Sequence, residues 1–150
     1  PFVHGAGHER GRRAGTENVI FDVGLGAACD VASQQVGMPA IRALRDRFEA
    51  RLKVAYGNLL TVNGAGAERL PNTANVNFVG QVGAEVLARL HGVAASTGSA
   101  CHAGSVELSP VLAAMRVPPR EGMGAVRFSL GRSTTWDELV EVLSALAPPA

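Results

Sequence analysis

Apolar and polar positions recur along this chain with two different periods, and the changes of period mark its elements. Over residues 39–53, Ile41, Leu44, Phe48 and Leu52 return at three- and four-residue spacings, while Arg42, Arg45, Asp46, Arg47, Glu49 and Arg51 take the other positions. That spacing predicts an amphipathic helix with an apolar stripe on a core and charges on the opposite face. Upstream, the segment from Val19 to Val36 is apolar and rich in Ala, with Gly24 and Gly26 permitting a neighbour to approach. It predicts a helix capped by Thr16, with Glu17 at the positive end of the helix dipole and Cys29 in the core. Residues 74–79, ANVNFV, alternate and predict a strand after the turn at Leu70-Pro71-Asn72. A short helix over 82–90 follows, with Val86, Leu87 and Leu90 as apolar contacts, and then a short strand from Val93 to Ala95. Ser109 and Pro110 open the next helix as cap and first residue, and it runs to about Met115. Ala125 to Leu130 is the clearest late strand, with Val126, Phe128 and Leu130 on one face and Arg127 and Ser129 on the other. Thr135 and Glu138 form a capping box for the last helix, whose inward face is Trp136, Leu139, Val142 and Leu143. Residues 54–57 and 59–62 read as short strands or a turn. Residues 1–15 have no period and read as an ordered loop or a frayed tail.

From Asn75 onward the order strand, helix, strand, loop, helix, strand, helix predicts a small sheet with helices packed on it, an α/β or α+β layer domain. A length of 150 residues with 47% hydrophobic content suffices for one domain, or for one domain and a piece of another. The formal net charge of +1 gives no reason to expect nucleic acid as a partner. Cys29 and Cys101 make no disulfide framework, no segment resembles a secretory signal, and no run of about eighteen apolar residues suggests a membrane span. A reducing, cytoplasmic protein is expected. The chain opens at Pro1 in a glycine-rich loop, as the middle of a longer polypeptide would; a processed or trimmed chain would look the same.

The most informative chemistry is STGSACHAG, residues 96–104, where Cys101 lies among small residues that cannot cover its sulfur. Such a thiol is either a reachable nucleophile or a partly buried, inert cysteine. Arg10, Arg12 and Arg13 crowd the N-terminus against Glu9 and Glu17; this is a solvated face or, in its glycine-rich setting, a seat for a small anion. Arg127 points to solvent or reaches into a cleft, where its fork would suit a carboxylate. His4 and His8 have no convincing third ligand, so no metal site is expected. GAGHERGRRAG lacks both the preceding strand and the lysine of a phosphate-binding loop.

Five motifs stand in order: GAGHERGRRAGTENV at 5–19, LPNTANVNF at 70–78, STGSACHAG at 96–104, SPVLAAM at 109–115 and VRFSLGRSTTWDEL at 126–139. Together they resemble the C-terminal part of a cysteine desulfurase, a pyridoxal-phosphate enzyme of the class V aminotransferase group, with selenocysteine lyases as near relatives. The resemblance implies the C-terminal portion of a type I pyridoxal-phosphate transferase fold. Residues 1–36 would end the large cofactor-binding domain, and residues 37–150 would form the small domain with the cysteine loop. It implies that Cys101 takes sulfur from L-cysteine as a persulfide and leaves alanine. Arg127 would hold the substrate carboxylate, and Thr16 would contact the pyridoxal phosphate of the neighbouring subunit in a homodimer. His8, Arg10 and Arg13 would support that phosphate. A sulfur-acceptor or iron-sulfur scaffold protein would be the partner. Two departures stand out. Glu107-Leu108-Ser109-Pro110 replaces a Glu-Pro-Ser order and has its likeness in selenocysteine lyases; a selenocysteine lyase or related carbon-sulfur lyase is the alternative reading, together with a non-catalytic truncated fragment. Arg116 stands where a glycine is common, at the end of the predicted helix. The lysine that binds the cofactor would lie upstream. Lys53, the sole lysine, falls on the polar side of a helix, so this piece alone is expected to be inactive.

Overall fold

Asn18, rather than Thr16, starts the first long helix. The computed structural model describes residues 1–33, 38–97 and 107–147, and the chain divides into two compact units, Pro1–Val36 and Gly37–Ala150. The first unit contains a single turn, α1 (His8–Gly11), and the helix α2 (Val19–Ser33). Asn18 Oδ1 accepts the Phe21 N–H at 3.3 Å, and its carbonyl accepts the Asp22 N–H at 2.9 Å. A short amide side chain at this position satisfies an orphan donor of the first turn, so the helix begins two residues later than Glu17. Residues 34–36 of the expected helix lie outside the described residues. Cys29 is exposed, as is every residue of α2, which corrects its expected place in a core. Taken by itself, a unit of one turn and one helix has no second layer against which a helix face could be buried.

The second unit runs α3 (Met38–Tyr56), a 3-10 turn (Gly57–Leu59), β1 (Leu60–Val62), β2 (Thr73–Phe78), α4 (Gly83–Ala88), α5 (Pro110–Ala114), α6 (Pro119–Gly122), β3 (Ala125–Ser129) and α7 (Trp136–Ala145). The strands lie in the order β1-β2-β3, antiparallel throughout, with Val62 opposite Val76 and Asn75 opposite Arg127. This is the small sheet with packed helices that the alternation of elements predicts. One sheet face carries Ala74, Val76, Phe78, Val126 and Phe128, all buried, against Phe48 and Leu52 of α3 and Leu139 and Val142 of α7. Phe48 meets Phe128 edge to face at 5.2 Å, and Tyr56 meets Phe78 at 5.0 Å. Each fully buried ring or branched side chain contributes about 1.5–3 kcal/mol. The Tyr56 hydroxyl donates to the Leu146 carbonyl, fastening the end of α3 to the end of α7. The Thr135–Glu138 capping box closes in both directions, as predicted.

Two charges expected on the solvent face of α3 are buried instead. Arg45 is 5% exposed and Glu49 is 8% exposed. They follow Ile41 by four and eight residues and so flank the apolar stripe, where the segment between β1 and β2 covers them. Arg45 Nη1 donates to the Leu70 carbonyl at 2.6 Å, and its other nitrogens hold Asp46 Oδ1 at 2.6 and 2.9 Å. Glu49 accepts both arms of Arg69 at 2.7 and 2.9 Å. Those two hydrogen bonds hold the Arg69 proton more tightly than usual, outweighing the opposing effect of its burial. The contribution from Arg69's own charge is therefore fully present below arginine's ordinary range and is lost as pH rises through its raised value. Residues 93–95 are irregular rather than a strand; the regular pairing is confined to a bridge between Ser96 and Arg127.

Helix α5 opens on Pro110 behind Ser109, whose side chain makes no capping bond. It ends with Arg116 in the left-handed region at φ 61°. The Arg116 N–H donates to the Ala113 carbonyl at 2.9 Å and the Val117 N–H to the Leu112 carbonyl at 3.0 Å. Both bonds of a Schellman closure form even though the residue is not glycine. A side chain in this conformation is disfavoured by about 1–2 kcal/mol. Arg116→Gly is expected to stabilise the domain by about 0.5–1 kcal/mol, since glycine's added freedom when unfolded offsets part of the relief. Chemical denaturation of the two proteins measures the difference; a destabilised glycine variant would show that the arginine side chain has a contact of its own.

Candidate functional site

The polar face of the sheet, opposite the core, is where candidate chemistry gathers in the second unit. Because Arg127 sits between Val126 and Phe128 on β3, the alternation that buries its neighbours turns its side chain outward. Arg127 is exposed, and among the described residues its guanidinium has no ion-pair or hydrogen-bond partner. Its backbone is firmly placed: its N–H donates to the Ser96 carbonyl at 2.6 Å, and its carbonyl accepts the Ser96 N–H at 3.1 Å. Cys101 lies outside the described residues, as do 98–106 throughout. The bridge fixes the chain five residues before Cys101, a distance that extended backbone spans in at most about 18 Å.

Sequence reading missed the amides beside this arginine. Asn63 Nδ2 donates to Asn75 Oδ1 and to Asn77 Oδ1, each at 2.8 Å. Asn77 Nδ2 donates in return to Asn63 Oδ1 and to Thr61 Oγ1, each at 2.9 Å. Thr61 Oγ1 donates to Glu121 Oε2 at 3.1 Å, which ties α6 to the same face. Asn77 is 1% exposed, and this network satisfies its amide. Backbone pairing extends β1 to Asn63, whose N–H donates to the Asn75 carbonyl at 2.9 Å. Asn63, Asn75, Arg127 and Ser96 therefore form one row across the sheet. The available signal was the residue type: asparagine is depleted in strands, yet it occupies both polar positions 75 and 77 of the alternating segment.

The other candidate residues belong to the first unit. Phe2 N–H donates to the Arg12 carbonyl at 3.2 Å and Ala14 N–H to the Val3 carbonyl at 3.0 Å, closing residues 2–14 into a loop. At its tip Glu9 and Arg10 adopt φ of 52° and 57°, followed by Gly11 at 75°. Two side-chain-bearing residues in the left-handed region amount to local strain, a condition that tends to concentrate at ligand sites. Arg13 turns back into the loop, donating to the Gly15 carbonyl at 2.5 Å and lying 3.7 Å from Glu9. Arg10, Arg12 and Thr16 are exposed, and their side chains have no partner among the described residues. His8 Nδ1 is shielded from solvent and has no hydrogen-bond partner among the described residues. A hydroxyl, two guanidiniums and an orphaned imidazole nitrogen are the donor set a phosphate monoester takes. Thr16 stands two residues ahead of the cap, so it belongs to the approach to α2 and not to its first turn. Among the described residues no group of three His, Cys, Asp or Glu side chains could hold a metal ion, and no helix is long and apolar enough to cross a membrane.

Comparison with known proteins identifies what the chain is similar to. Residues 3–142 match the family described as aminotransferase class-V. A cysteine desulfurase of Gluconacetobacter diazotrophicus is 45% identical over 97% of this chain and 37% of its own length. The cysteine desulfurase NifS of Azotobacter vinelandii is 43% identical over 99% of this chain and 38% of its own. Among solved structures, a NifS-like protein from Rickettsia africae superposes with a TM-score of 0.79 at 26% identity, covering 97% of this chain and 38% of that one. The chain thus spans a little over a third of the length of the relatives it matches.

Proposed function

The chain belongs to the aminotransferase class-V family, and from that premise we propose that it is the sulfur-accepting part of a cysteine desulfurase acting on L-cysteine. The observation that carries this reading is the bridge between Ser96 and Arg127, because it ties the approach to Cys101 to the strand bearing an unpartnered guanidinium. In this reading Arg127 grips the substrate carboxylate with two parallel hydrogen bonds and orients the substrate sulfur toward the Cys101 loop. The Cys101 thiolate attacks that sulfur. An S–S bond forms, the C–S bond breaks, and its electron pair goes to the substrate carbon, which takes up a proton to give alanine. Sulfur remains on Cys101 as a persulfide, to be passed to an acceptor thiol or an iron-sulfur scaffold protein.

Pyridoxal phosphate, when bound, withdraws electrons from the substrate's amino-bearing carbon and makes the C–S bond cleavable. The donors of the first unit fit the phosphate end of that cofactor: Thr16 and Arg10 directly, His8 through its orphaned Nδ1, with Arg13 holding the loop's shape. These residues would serve the cofactor of a neighbouring subunit in a homodimer. On this reading Pro1–Val36 ends the large cofactor-binding domain, Gly37–Ala150 is the small domain, and the enzyme works in the cytoplasm. Lys53 is exposed on α3 in the second unit and has no role in holding the cofactor.

The test compares two forms of the protein supplied with pyridoxal phosphate and L-cysteine. A full-length polypeptide carrying this segment is expected to release alanine and sulfide in equal amounts under a reducing thiol, while residues 1–150 alone release neither. Alanine from the short chain would overturn the assignment of Lys53, and none from the long one would overturn the desulfurase reading.

A further inference from the structure

We infer that Asn75 is a second substrate-contacting residue, donating its amide N–H to the same carboxylate that Arg127 grips. This deepens the desulfurase reading and rests on it. Asn75 and Arg127 are direct cross-strand partners in antiparallel strands. The Arg127 N–H and carbonyl both bond outward to Ser96, and the Asn75 carbonyl bonds outward to Asn63. Asn75 and Arg127 are consequently a non-hydrogen-bonded pair, the class whose side chains approach most closely, with Cβ atoms about 4.5–5.5 Å apart.

The Asn75 amide is held in one orientation. An isolated asparagine could present either its oxygen or its nitrogen to the guanidinium side, and the oxygen would be the natural partner of a cation. Here the oxygen is already used, because Asn75 Oδ1 accepts from Asn63 Nδ2 at 2.8 Å. Asn63 cannot turn to release it, since its own amide is locked face to face with that of Asn77 by two reciprocal bonds of 2.8 and 2.9 Å. Asn77 is locked in turn by Thr61, and Thr61 by Glu121. The orientation thus propagates along a chain of four side chains from α6 to Asn75. What it leaves at the end is the Asn75 NH2, with no acceptor among the described residues, beside a guanidinium that also has none. Two donor groups side by side on one sheet face, neither with an acceptor, are complementary to an anion with more than one oxygen. A carboxylate fits: one oxygen can take the guanidinium fork while the other also receives the amide. A cation or a neutral apolar group finds nothing here to bind.

The experiment reads Arg127 directly. In the full-length polypeptide, phenylglyoxal modification of the peptide containing Arg127 is followed by mass spectrometry, with L-alanine as the carboxylate probe and ethylamine as its carboxylate-free control. L-alanine is expected to protect Arg127 and ethylamine is not. In Asn75→Ala the L-alanine concentration for half protection is expected to rise about tenfold, the loss of one hydrogen bond to a charged group. The modification rate without L-alanine should stay unchanged, whereas a residue that merely shaped the sheet would alter that rate. Asn75→Leu keeps the side chain's size, adds no charge and lacks the N–H, so it should also lose protection relative to its own unprotected rate, and it serves if the alanine variant does not fold. Unaltered half protection in either folded variant overturns the inference while the role of Arg127 stands. Failure of L-alanine to protect the unaltered protein overturns the role of Arg127 itself, and the inference with it.

Discussion

Cys101→Ser in the full-length polypeptide is expected to lower alanine release from L-cysteine by about a thousandfold or more. A serine hydroxyl is nearly isosteric with the thiol, so binding of substrate and cofactor should survive. It is almost wholly protonated at neutral pH and has no affinity for divalent sulfur, so the S–S bond cannot form. On the proposed reading Arg127 and not Cys101 holds the carboxylate, so the KM for L-cysteine should change little. A serine variant that keeps its rate would mean that substrate sulfur leaves without an enzyme nucleophile. Cys29 provides an internal control: it is the other thiol of this chain, it is exposed on α2, and nothing in its surroundings suggests a part in the reaction. Cys29→Ser should leave alanine release unchanged.

The second large effect concerns the joint that positions Arg127. Gly124 precedes β3, and a Cβ there would overlap the Phe78 carbonyl oxygen and lie 2.8 Å from its carbon and 3.1 Å from the Gln81 carbonyl oxygen. These are backbone atoms of the paired strand and the following turn, so no side chain can swing aside to make room. The Gly124 carbonyl also accepts the Phe78 N–H at 3.0 Å, the bond at one end of the β2–β3 ladder. Gly124→Ala must therefore push β3 away from β2. A loss of about 3 kcal/mol is expected, or roughly 10 °C in melting temperature for a domain of this size. The same shift separates Arg127 from Asn75 and moves α6, whose Glu121 accepts from Thr61 at 3.1 Å. Gly66→Ala is the matched control, because a Cβ at Gly66 has open space and its loss should be near zero. Thermal melts of both variants check this; equal melting temperatures would show that β2 and β3 can slide apart freely.

Much of the fold can be read from spacing, because a helix stripe or an alternating strand records which face is buried. The stripe of α3, the two faces of β3 and the Thr135–Glu138 box all follow from residue order within one element. What spacing does not record is the neighbour that arrives from elsewhere. Arg45 and Glu49 look like surface charges until Leu70 and Arg69, more than one turn of any helix away in sequence, fold over them. Cys29 looks like core because its neighbours are apolar, yet α2 exposes all of its residues. Thr16 looks like a cap because Glu17 follows it, but Asn18 lies nearer and its amide reaches the first-turn donor. The candidate site shows the same division. Arg127 is visible as a polar residue on a good strand, whereas the Asn63–Asn75–Asn77 network needs β1 and β2 placed side by side before its amides can be seen to meet.

The central claim is that sulfur passes through Cys101, and peptide mass spectrometry after a single turnover tests it most directly. The full-length polypeptide with pyridoxal phosphate would receive one equivalent of L-cysteine without a reducing thiol, then be alkylated and digested. The predicted result is one added sulfur on the peptide containing Cys101, none on the peptide containing Cys29, and one equivalent of alanine. Alanine formed with no sulfur on Cys101, or with the sulfur on another cysteine, would contradict the account.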